Sequence, residues 1–134
     1  MWKSTASKSA LPAETDELIT QIIGCAIRVH SELGPGFLES IYSSALALEF
    51  GHSEIAFQRE KSVVVLYRGE TIAVQRVDFV VDVQVILEIK SVARVEQVFR
   101  AKLLSYMRAA KIRAGLLINF NVSLLKDGIE RFVL

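Results

Sequence analysis

The stretch from residue 76 to residue 91 is the feature that most limits what this chain can fold into. It is Arg-Val-Asp-Phe-Val-Val-Asp-Val-Gln-Val-Ile-Leu-Glu-Ile-Lys-Ser, and most of it is typical of a buried β-hairpin. Three of its charged residues, Asp78, Glu88 and Lys90, stand among valines, isoleucines and leucines. Burying a charge costs several kcal/mol unless a partner compensates it. The pattern therefore predicts that these side chains meet a partner at one end of a sheet.

A divalent metal ion is one such partner. Glu88 and Lys90 are two residues apart, so they point to the same face of a strand, and Asp78 lies on the preceding strand of the hairpin. Carboxylates suit Mg²⁺ or Mn²⁺, which keep several waters and accept phosphate oxygens, and a lysine beside the ion can act on the attacking water. The alternative is a cross-strand salt bridge, in which either acid pairs with Lys90 or Arg76.

The composition is that of a globular protein. The 134 residues, 51% of them apolar and 23% charged, fit a single domain over residues 14–134, preceded by a mobile polar tail over residues 1–13. A formal net charge of +1 does not support nonspecific duplex binding. No apolar run approaches the ~20 residues of a membrane span, the start has no apolar signal region, and Cys25 is the one cysteine. We therefore expect a cytoplasmic protein without a membrane partner.

The hydrophobic pattern predicts an α/β fold with a mixed central sheet flanked by helices. Short connections in its middle imply an antiparallel meander, after which a crossover helix returns a strand parallel to an earlier one. The predicted elements are helices from about 15 to 33 and over 37–50, strands over 61–67, 71–81 and 85–90, a helix over 95–111, a central strand over 114–120 and an edge strand over 129–134.

Two charged residues lie in apolar sectors of helices. Glu39, in the first turn of the second helix, is a candidate ligand or neighbour of the metal, or else interacts with the helix dipole. Lys102 lies within the apolar arc of the long helix, which includes Val98 and Leu103, so it either points at the carboxylates or snorkels to water. His30 is also on an apolar side, where we expect a hydrogen-bonded packing residue rather than a ligand.

The long helix is the most basic part of the chain. Between residues 94 and 113 there are six lysines and arginines against the single acid Glu96. We interpret Arg100, Arg108 and Lys111 as candidate contacts to a phosphate backbone, with a solvated helix face as the alternative. Glycine-rich phosphate loops, a nucleophile elbow and a Cys/His pair are all missing from the sequence, which argues against those classes of enzyme.

Two motifs carry a resemblance to a known family. Residues 36–42, Gly-Phe-Leu-Glu-Ser-Ile-Tyr, match a Gly-x-x-Glu-x-x-Tyr pattern, and Asp78 followed by Glu88-Ile-Lys90 matches a nuclease-like core. Together with residues 115–120, they make the chain resemble the GxxExxY protein family of the PD-(D/E)XK nuclease superfamily from about residue 22 to residue 134. That superfamily has a restriction-endonuclease-like fold.

The resemblance implies roles for particular residues. It implies that residues 14–134 form a PD-(D/E)XK nuclease-like domain in which Asp78 and Glu88 bind the metal. Lys90 would be the active-site lysine, and Glu39 the helix-borne acid that joins the site. The chain departs from the family in the long helix, where Phe99 and Lys102 stand in place of a histidine and a glutamine. A lysine there would bind phosphate, position water, or neutralise the carboxylates without metal.

These observations lead us to expect metal-dependent hydrolysis of phosphodiester bonds in DNA or RNA, with Mg²⁺ or Mn²⁺ as cofactor. Lys90, Asp78, Glu88, Glu39 and Lys102 are the expected catalytic residues. The first alternative is an inactive nuclease-fold module that binds nucleic acid or a protein partner. The second is a structural oligomer whose charges form salt bridges. A homodimer is among the arrangements that the sequence allows, since small nucleases that cut two strands often work in pairs.

Overall fold

The computed structural model describes residues 3–4 and 10–134, and within them the chain forms three α-helices and one mixed sheet. The helices are α1 (Ala13–Leu33), α2 (Glu39–His52) and α3 (Gln97–Ala110). The strands are β1 (Lys3–Ser4), β2 (Phe57–Tyr67), β3 (Glu70–Val81), β4 (Val85–Lys90), β5 (Ala114–Asn119) and β6 (Ile129–Val133), with a 3₁₀ turn at Leu125–Gly128.

The strands are ordered β1-β6-β5-β4-β3-β2 across the sheet. β2, β3 and β4 form the predicted antiparallel meander, and α3 returns β5 parallel to β4. The prediction of an α/β fold with a mixed sheet flanked by helices is therefore confirmed. β6 differs from the predicted edge strand because it lies between β5 and the two-residue strand β1.

Helices cover both faces of the sheet. On one face, Leu87 and Ile89 of β4 belong to the core formed with α1 and α2, whereas Ile86 on the other face packs beneath α3. Successive side chains of a strand point to opposite faces. The same alternation therefore places Glu88 and Lys90 on one face, as predicted from their spacing, and this face is the one beneath α3.

The hairpin of β2 and β3 extends beyond the rest of the sheet. β3 pairs with β4 over its last three residues, Phe79–Val81, while its earlier part pairs along β2. The hairpin turns at Arg68 and Gly69, which have φ values of 51° and 82°. Several of its apolar side chains are exposed, namely Val64, Leu66, Tyr67, Ile72 and Val74. The sheet therefore ends in a two-stranded arm with an apolar surface.

Several boundaries differ from the predicted ones. α1 begins at Ala13, and Leu11 before it is buried. Residues 1–2 and 5–9 of the predicted tail lie outside the described residues, so the mobility of the tail stays a prediction. In the turn between β3 and β4, Val83 has φ 58° and is 77% exposed, so a valine is accepted here despite its poor fit to this backbone. None of the described helices is both long and apolar enough to cross a membrane.

Candidate active site

β3 and β4 separate at Asp78 and Glu88. Their backbone ladder ends at the pair Phe79–Leu87. Beyond it, Asp78 Oδ2 accepts a hydrogen bond from the Ile89 N–H at 2.7 Å, and Glu88 Oε1 accepts one from the Asp78 N–H at 3.0 Å. The two carboxyl groups thus accept the bonds that backbone carbonyls would accept in a continuous ladder. We call this place, where β3 and β4 separate at Asp78 and Glu88, the fork. Each carboxyl group keeps a second oxygen that takes part in neither bond.

A break in the strand pleat turns Asp78 toward the fork. Val77 and Phe79 are two residues apart and should share a face, yet Val77 belongs to the α3 side of the core and Phe79 to the other side. Glu60 on β2 lies opposite this point, between the pairs Arg59–Phe79 and Lys61–Val77, and has φ 52°. Backbone in this region is uncommon for a residue other than glycine.

Burial raises the pKa of both acids at the fork. The pKa of Glu88 rises to about 8, first because of burial and second because of the neighbouring charge of Asp78. Burial likewise raises the pKa of Asp78, although the Ile89 N–H and the charge of Lys90 oppose that rise. At neutral pH the pair therefore retains a proton on Glu88, as expected when two acids share a partly buried place.

Lys90 lies beside this pair without forming a salt bridge to it. Its Nζ is 4.2 Å from the centroid of the Phe99 ring, a cation–π contact. Among the described residues, no lysine or arginine nitrogen lies within 4.0 Å of an Asp78 or Glu88 oxygen, and Arg76 pairs with Glu60 instead. The cross-strand salt bridge considered from the sequence is therefore not found.

Lys102 lines a small cavity next to the fork. The cavity, of about 70 Å³, is bordered by Glu88, Lys90, Phe99, Lys102, Tyr106 and Leu117. Lys102 both borders this cavity and is exposed overall, so its position fits both orientations expected from the sequence, toward the carboxylates and toward water. The predicted apolar arc of this helix is displaced. Val98 of the predicted arc is 53% exposed, whereas Met107 is fully buried.

Met107 is buried because β5 has a glycine, Gly115, where the methionine side chain packs. The Cβ of an alanine at Gly115 would lie 2.5 Å from the Met107 sulfur, so glycine lets the thioether pack directly on the strand. Helical spacing alone does not reveal such a close approach. This packing sets the rotation of α3 and thereby the position of Lys102 above the cavity.

Tyr42 shapes the loop that leads into α2. It is fully buried, its hydroxyl donates to the Gly34 carbonyl at 2.5 Å, and it accepts from the Phe37 N–H at 3.1 Å. Gly36 has φ 107°, a conformation that favours glycine. The Gly and Tyr of the motif therefore hold this loop, so that Glu39 becomes the first residue of the helix.

Glu39 borders a cleft on the other side of the fork. This α2 cleft has a volume of about 320 Å³ and is lined by Glu39, Ser40, Ser43, Arg59, Glu60, Arg76, Val77, Asp78 and Ile89. Within the described part of the chain, no three His, Cys, Asp or Glu side chains are grouped closely enough to hold a metal ion. Asp78 and Glu88 thus form a pair, and the role of Glu39 as a metal ligand stays a prediction.

The pair itself fits a divalent cation. Each carboxyl group has one oxygen outside the two backbone bonds, and the charge of Asp78 raises the pKa of Glu88, a repulsion that a cation would relieve. Mg²⁺ and Mn²⁺ are commonly held by one or two carboxylates while they retain waters. The pair therefore has the donor type and number with which proteins commonly hold such an ion, and its role as a metal site stays a prediction.

Two buried polar residues hydrogen-bond to the backbone of connecting segments. His30 is 8% exposed, and its Nε2 lies 2.7 Å from the Val122 carbonyl, as expected for a packing residue. Asn119 was not singled out from the sequence, yet its side chain accepts from the Val92 N–H and donates to the Val92 carbonyl, both at 3.0 Å. It holds the segment after Lys90 against β5. A polar residue ending an otherwise apolar strand is the signal that could have revealed it.

The basic residues chosen from the sequence lie away from the fork or are already paired. The Arg100 guanidinium contacts both carboxylate oxygens of Glu130, with Nη2 2.6 Å from Oε1, and this hydrogen bonding raises the pKa of Arg100. Lys111 lies near Gln84, at the end of the sheet opposite to Lys90. Arg108 is exposed on α3. Their contacts with phosphate stay predictions, and the charge of Arg100 is already compensated by Glu130.

Comparison with known proteins agrees with this geometry. A family model of the PD-(D/E)XK nuclease superfamily matches residues 16–132, which is most of the chain. Comparisons with curated proteins and with solved structures give no significant match. Membership of the GxxExxY family stays a prediction. The mixed sheet with its flanking helices is consistent with a restriction-endonuclease-like core. The chain therefore belongs to the PD-(D/E)XK nuclease superfamily.

Proposed function

We propose that this protein is a metal-dependent nuclease that hydrolyses phosphodiester bonds in DNA or RNA. The family match supports the nuclease class. The observation that carries the proposal is the pairing of Asp78 and Glu88 at the fork, where neither acid forms an ion pair with a described lysine or arginine. Two partly buried acids without an ion-pair partner are costly, and a bound metal ion would reduce that cost.

Each residue of the site has a role in this proposal. Asp78 and Glu88 would hold Mg²⁺ or Mn²⁺, which when bound activates water and neutralises charge on the phosphate. Glu88 would give up its proton on binding. Lys90, held against the ring of Phe99, would orient the attacking water or donate to the developing phosphate charge. Two further residues would assist from either side of the fork, Glu39 by orienting water in the α2 cleft and Lys102 by contacting phosphate.

A cleavage assay tests the proposal. Plasmid DNA, single-stranded DNA and RNA would be incubated with the purified protein in Mg²⁺ or Mn²⁺, and with Asp78→Asn and Lys90→Met proteins prepared in the same way. We expect cleavage that requires the ion and falls to background in both variants. If the wild-type protein cleaves none of these substrates, or if the variants cleave as well as the wild type, the proposed activity is wrong.

An inactive nuclease-fold module that binds nucleic acid or a protein is the second candidate. It is supported by Lys102, which lines the cavity next to Glu88 together with Lys90 and so brings a second cation near the acids. Calorimetry with Mn²⁺ separates the two candidates, since acids already neutralised by lysines would bind little metal. The structural oligomer of the second alternative would instead lose stability when Asp78→Asn and Glu88→Gln remove both charges and keep the acceptors of the backbone N–H groups.

We further propose that two copies of the chain pair along β2. This strand is the last of the sheet in the described part of the chain, and residues 62–67, Ser-Val-Val-Val-Leu-Tyr, contain no charge or proline that would discourage pairing. Antiparallel pairing with the same strand of a second copy satisfies two-fold symmetry. Light scattering should give a dimer for the wild type and a monomer for Leu66→Lys. A wild type that stays monomeric at every concentration would contradict this.

A cytoplasmic location is also part of the proposal. Cys25 is buried and free, and it is the one cysteine of the chain, so an oxidising compartment would give the fold no disulfide. Fractionation of cells that express the protein would check the location.

A further inference from the structure

We propose that the α2 cleft is the track of the nucleic-acid backbone, and that Arg59 and Arg76 are its phosphate contacts. Both arginines line this cleft together with Asp78. The inference rests on the proposed function, because it assigns the path of the same polynucleotide substrate. Both arginines lie outside the basic helix, whose residues the sequence pattern favoured as phosphate contacts.

Arg59 is held in place at the cleft wall. Its Nε donates to Ser43 Oγ at 3.2 Å, and its Nη2 donates to Ser44 Oγ at 3.0 Å. Its Cζ lies 6.0 Å from the centroid of the Phe79 ring. A guanidinium has five N–H donors, so three remain for another acceptor after these two bonds. Binding a phosphate would therefore need little rearrangement of this side chain.

Arg76 is exposed and only weakly engaged. Its Nη1 is 3.5 Å from Glu60 Oε1, and the two side chains are 70% and 64% exposed. Ion pairs between exposed side chains contribute little, because water and salt screen them. A phosphate can therefore compete with Glu60 for this guanidinium, and the Glu60 charge opposes any anion in the cleft.

The two arginines lie on either side of the fork along the hairpin. Arg59 is paired with Phe79, one residue beyond Asp78, whereas Arg76 lies two residues before it. At about 3.4 Å per residue, their backbone positions are about 10 Å apart along the strands. A backbone whose scissile phosphate reaches Asp78 would then have a guanidinium on each side. Arg100 of α3 is bound to Glu130, and Lys111, which follows α3, is at the other end of the sheet, so neither offers this arrangement.

Binding can be measured apart from cleavage in a charge-neutral background. The Asp78→Asn/Glu88→Gln protein keeps oxygen acceptors for both backbone N–H groups but removes the acids that a metal would have to neutralise. Fluorescence anisotropy with a labelled oligonucleotide, in chelator and at several salt concentrations, then reports backbone contacts alone. Arg59→Ala and Arg76→Ala should each weaken binding by about three- to tenfold and lower the salt slope by about 1.

Two controls make this result specific. Arg68→Asn removes the same charge from the exposed tip of the hairpin, at a left-handed position that asparagine tolerates, and should leave binding unchanged. Glu60→Gln should act in the opposite direction and tighten binding, because it removes the competitor of Arg76. Thermal unfolding of each variant would show that the fold is retained.

Three outcomes would overturn the inference: background protein that binds no nucleic acid, arginine variants that bind like the background protein, or an Arg108→Ala loss as large as that of Arg76→Ala. The proposed activity fails separately. If binding depends on the arginines but the wild type cleaves nothing, the nuclease proposal is wrong and the assignment of the cleft stands. If the wild type cleaves but binding does not depend on either arginine, the assignment of the cleft is wrong and the nuclease proposal stands.

Discussion

The backbone N–H of Asp78 donates a hydrogen bond of 3.0 Å to the side chain of Glu88, the acid on the adjoining strand. This bond fixes Glu88 against the main chain of its neighbour, and the Asp78 carboxyl group is fixed in turn by the Ile89 N–H. Both acids are therefore held in position without any ion. Such preorganisation is what a metal site needs in order to bind without reordering its ligands.

The stability of the metal-free protein should fall as pH rises from about 5 to 8. The folded protein raises the pKa of Glu88 from 4.5 to about 8, so it holds a proton over this range that the unfolded chain has released. Stabilisation from that proton is present below pH 4.5 and is lost as pH approaches 8. The loss should be on the order of a few kcal/mol, measured by urea unfolding in chelator. Glu88→Gln, which keeps an acceptor for Asp78, should lack this dependence, and an unchanged slope would refute the explanation.

Binding of Mn²⁺ at neutral pH should release about one proton. The proton is the one that Glu88 retains because of its burial and the nearby Asp78 charge. Calorimetry in buffers with different heats of ionisation would measure it. Asp78→Asn should abolish the binding, and Glu88→Gln should weaken it and release no proton. Metal uptake without any proton release would mean that Glu88 is not a ligand.

Tyr42→Phe should destabilise the protein by about 1–3 kcal/mol. The variant leaves the Phe37 N–H and the Gly34 carbonyl without the hydroxyl they share. Its ring can still stack on Phe120, 4.6 Å away, so the loss isolates the hydrogen bonds. Urea unfolding would measure the effect, and Tyr67→Phe, a change at a side chain that is 64% exposed, is the matched control. Equal stability of the two variants would show that Tyr42 does not hold the loop.

Gly128→Ala should cost several kcal/mol, whereas Gly51→Ala should stabilise the protein by about 0.5–1 kcal/mol. A Cβ at Gly128 would lie 2.1 Å from the Asn119 carbonyl oxygen, so the backbone next to the site would have to shift. Gly51 is within α2 and has open space at its Cβ position. Thermal unfolding checks both variants. A mild effect at Gly128 would mean that the chain around Asn119 is less rigid than its contacts indicate.

The face and length of β4 followed from the sequence alone. Its six residues alternate between the two faces of the sheet, so Glu88 and Lys90, which are two residues apart, share one face. The turn before it and the helix after it were also predictable, since each depends on a pattern within one segment of the chain. His30 could be assigned to packing for the same reason, from its place in an apolar helical stripe.

Only the tertiary structure decided how the two acids meet and which basic side chains are free to bind phosphate. Asp78 turns into the fork because the strand pleat breaks opposite Glu60. The alternation of apolar and polar residues in the sequence does not predict that break. Arg100 is bound by Glu130, thirty residues further along the chain, so its charge in the sequence says nothing about its availability. Periodicity describes how one segment presents its own side chains. Contacts between distant segments depend on packing, which determines where each charge finds its partner.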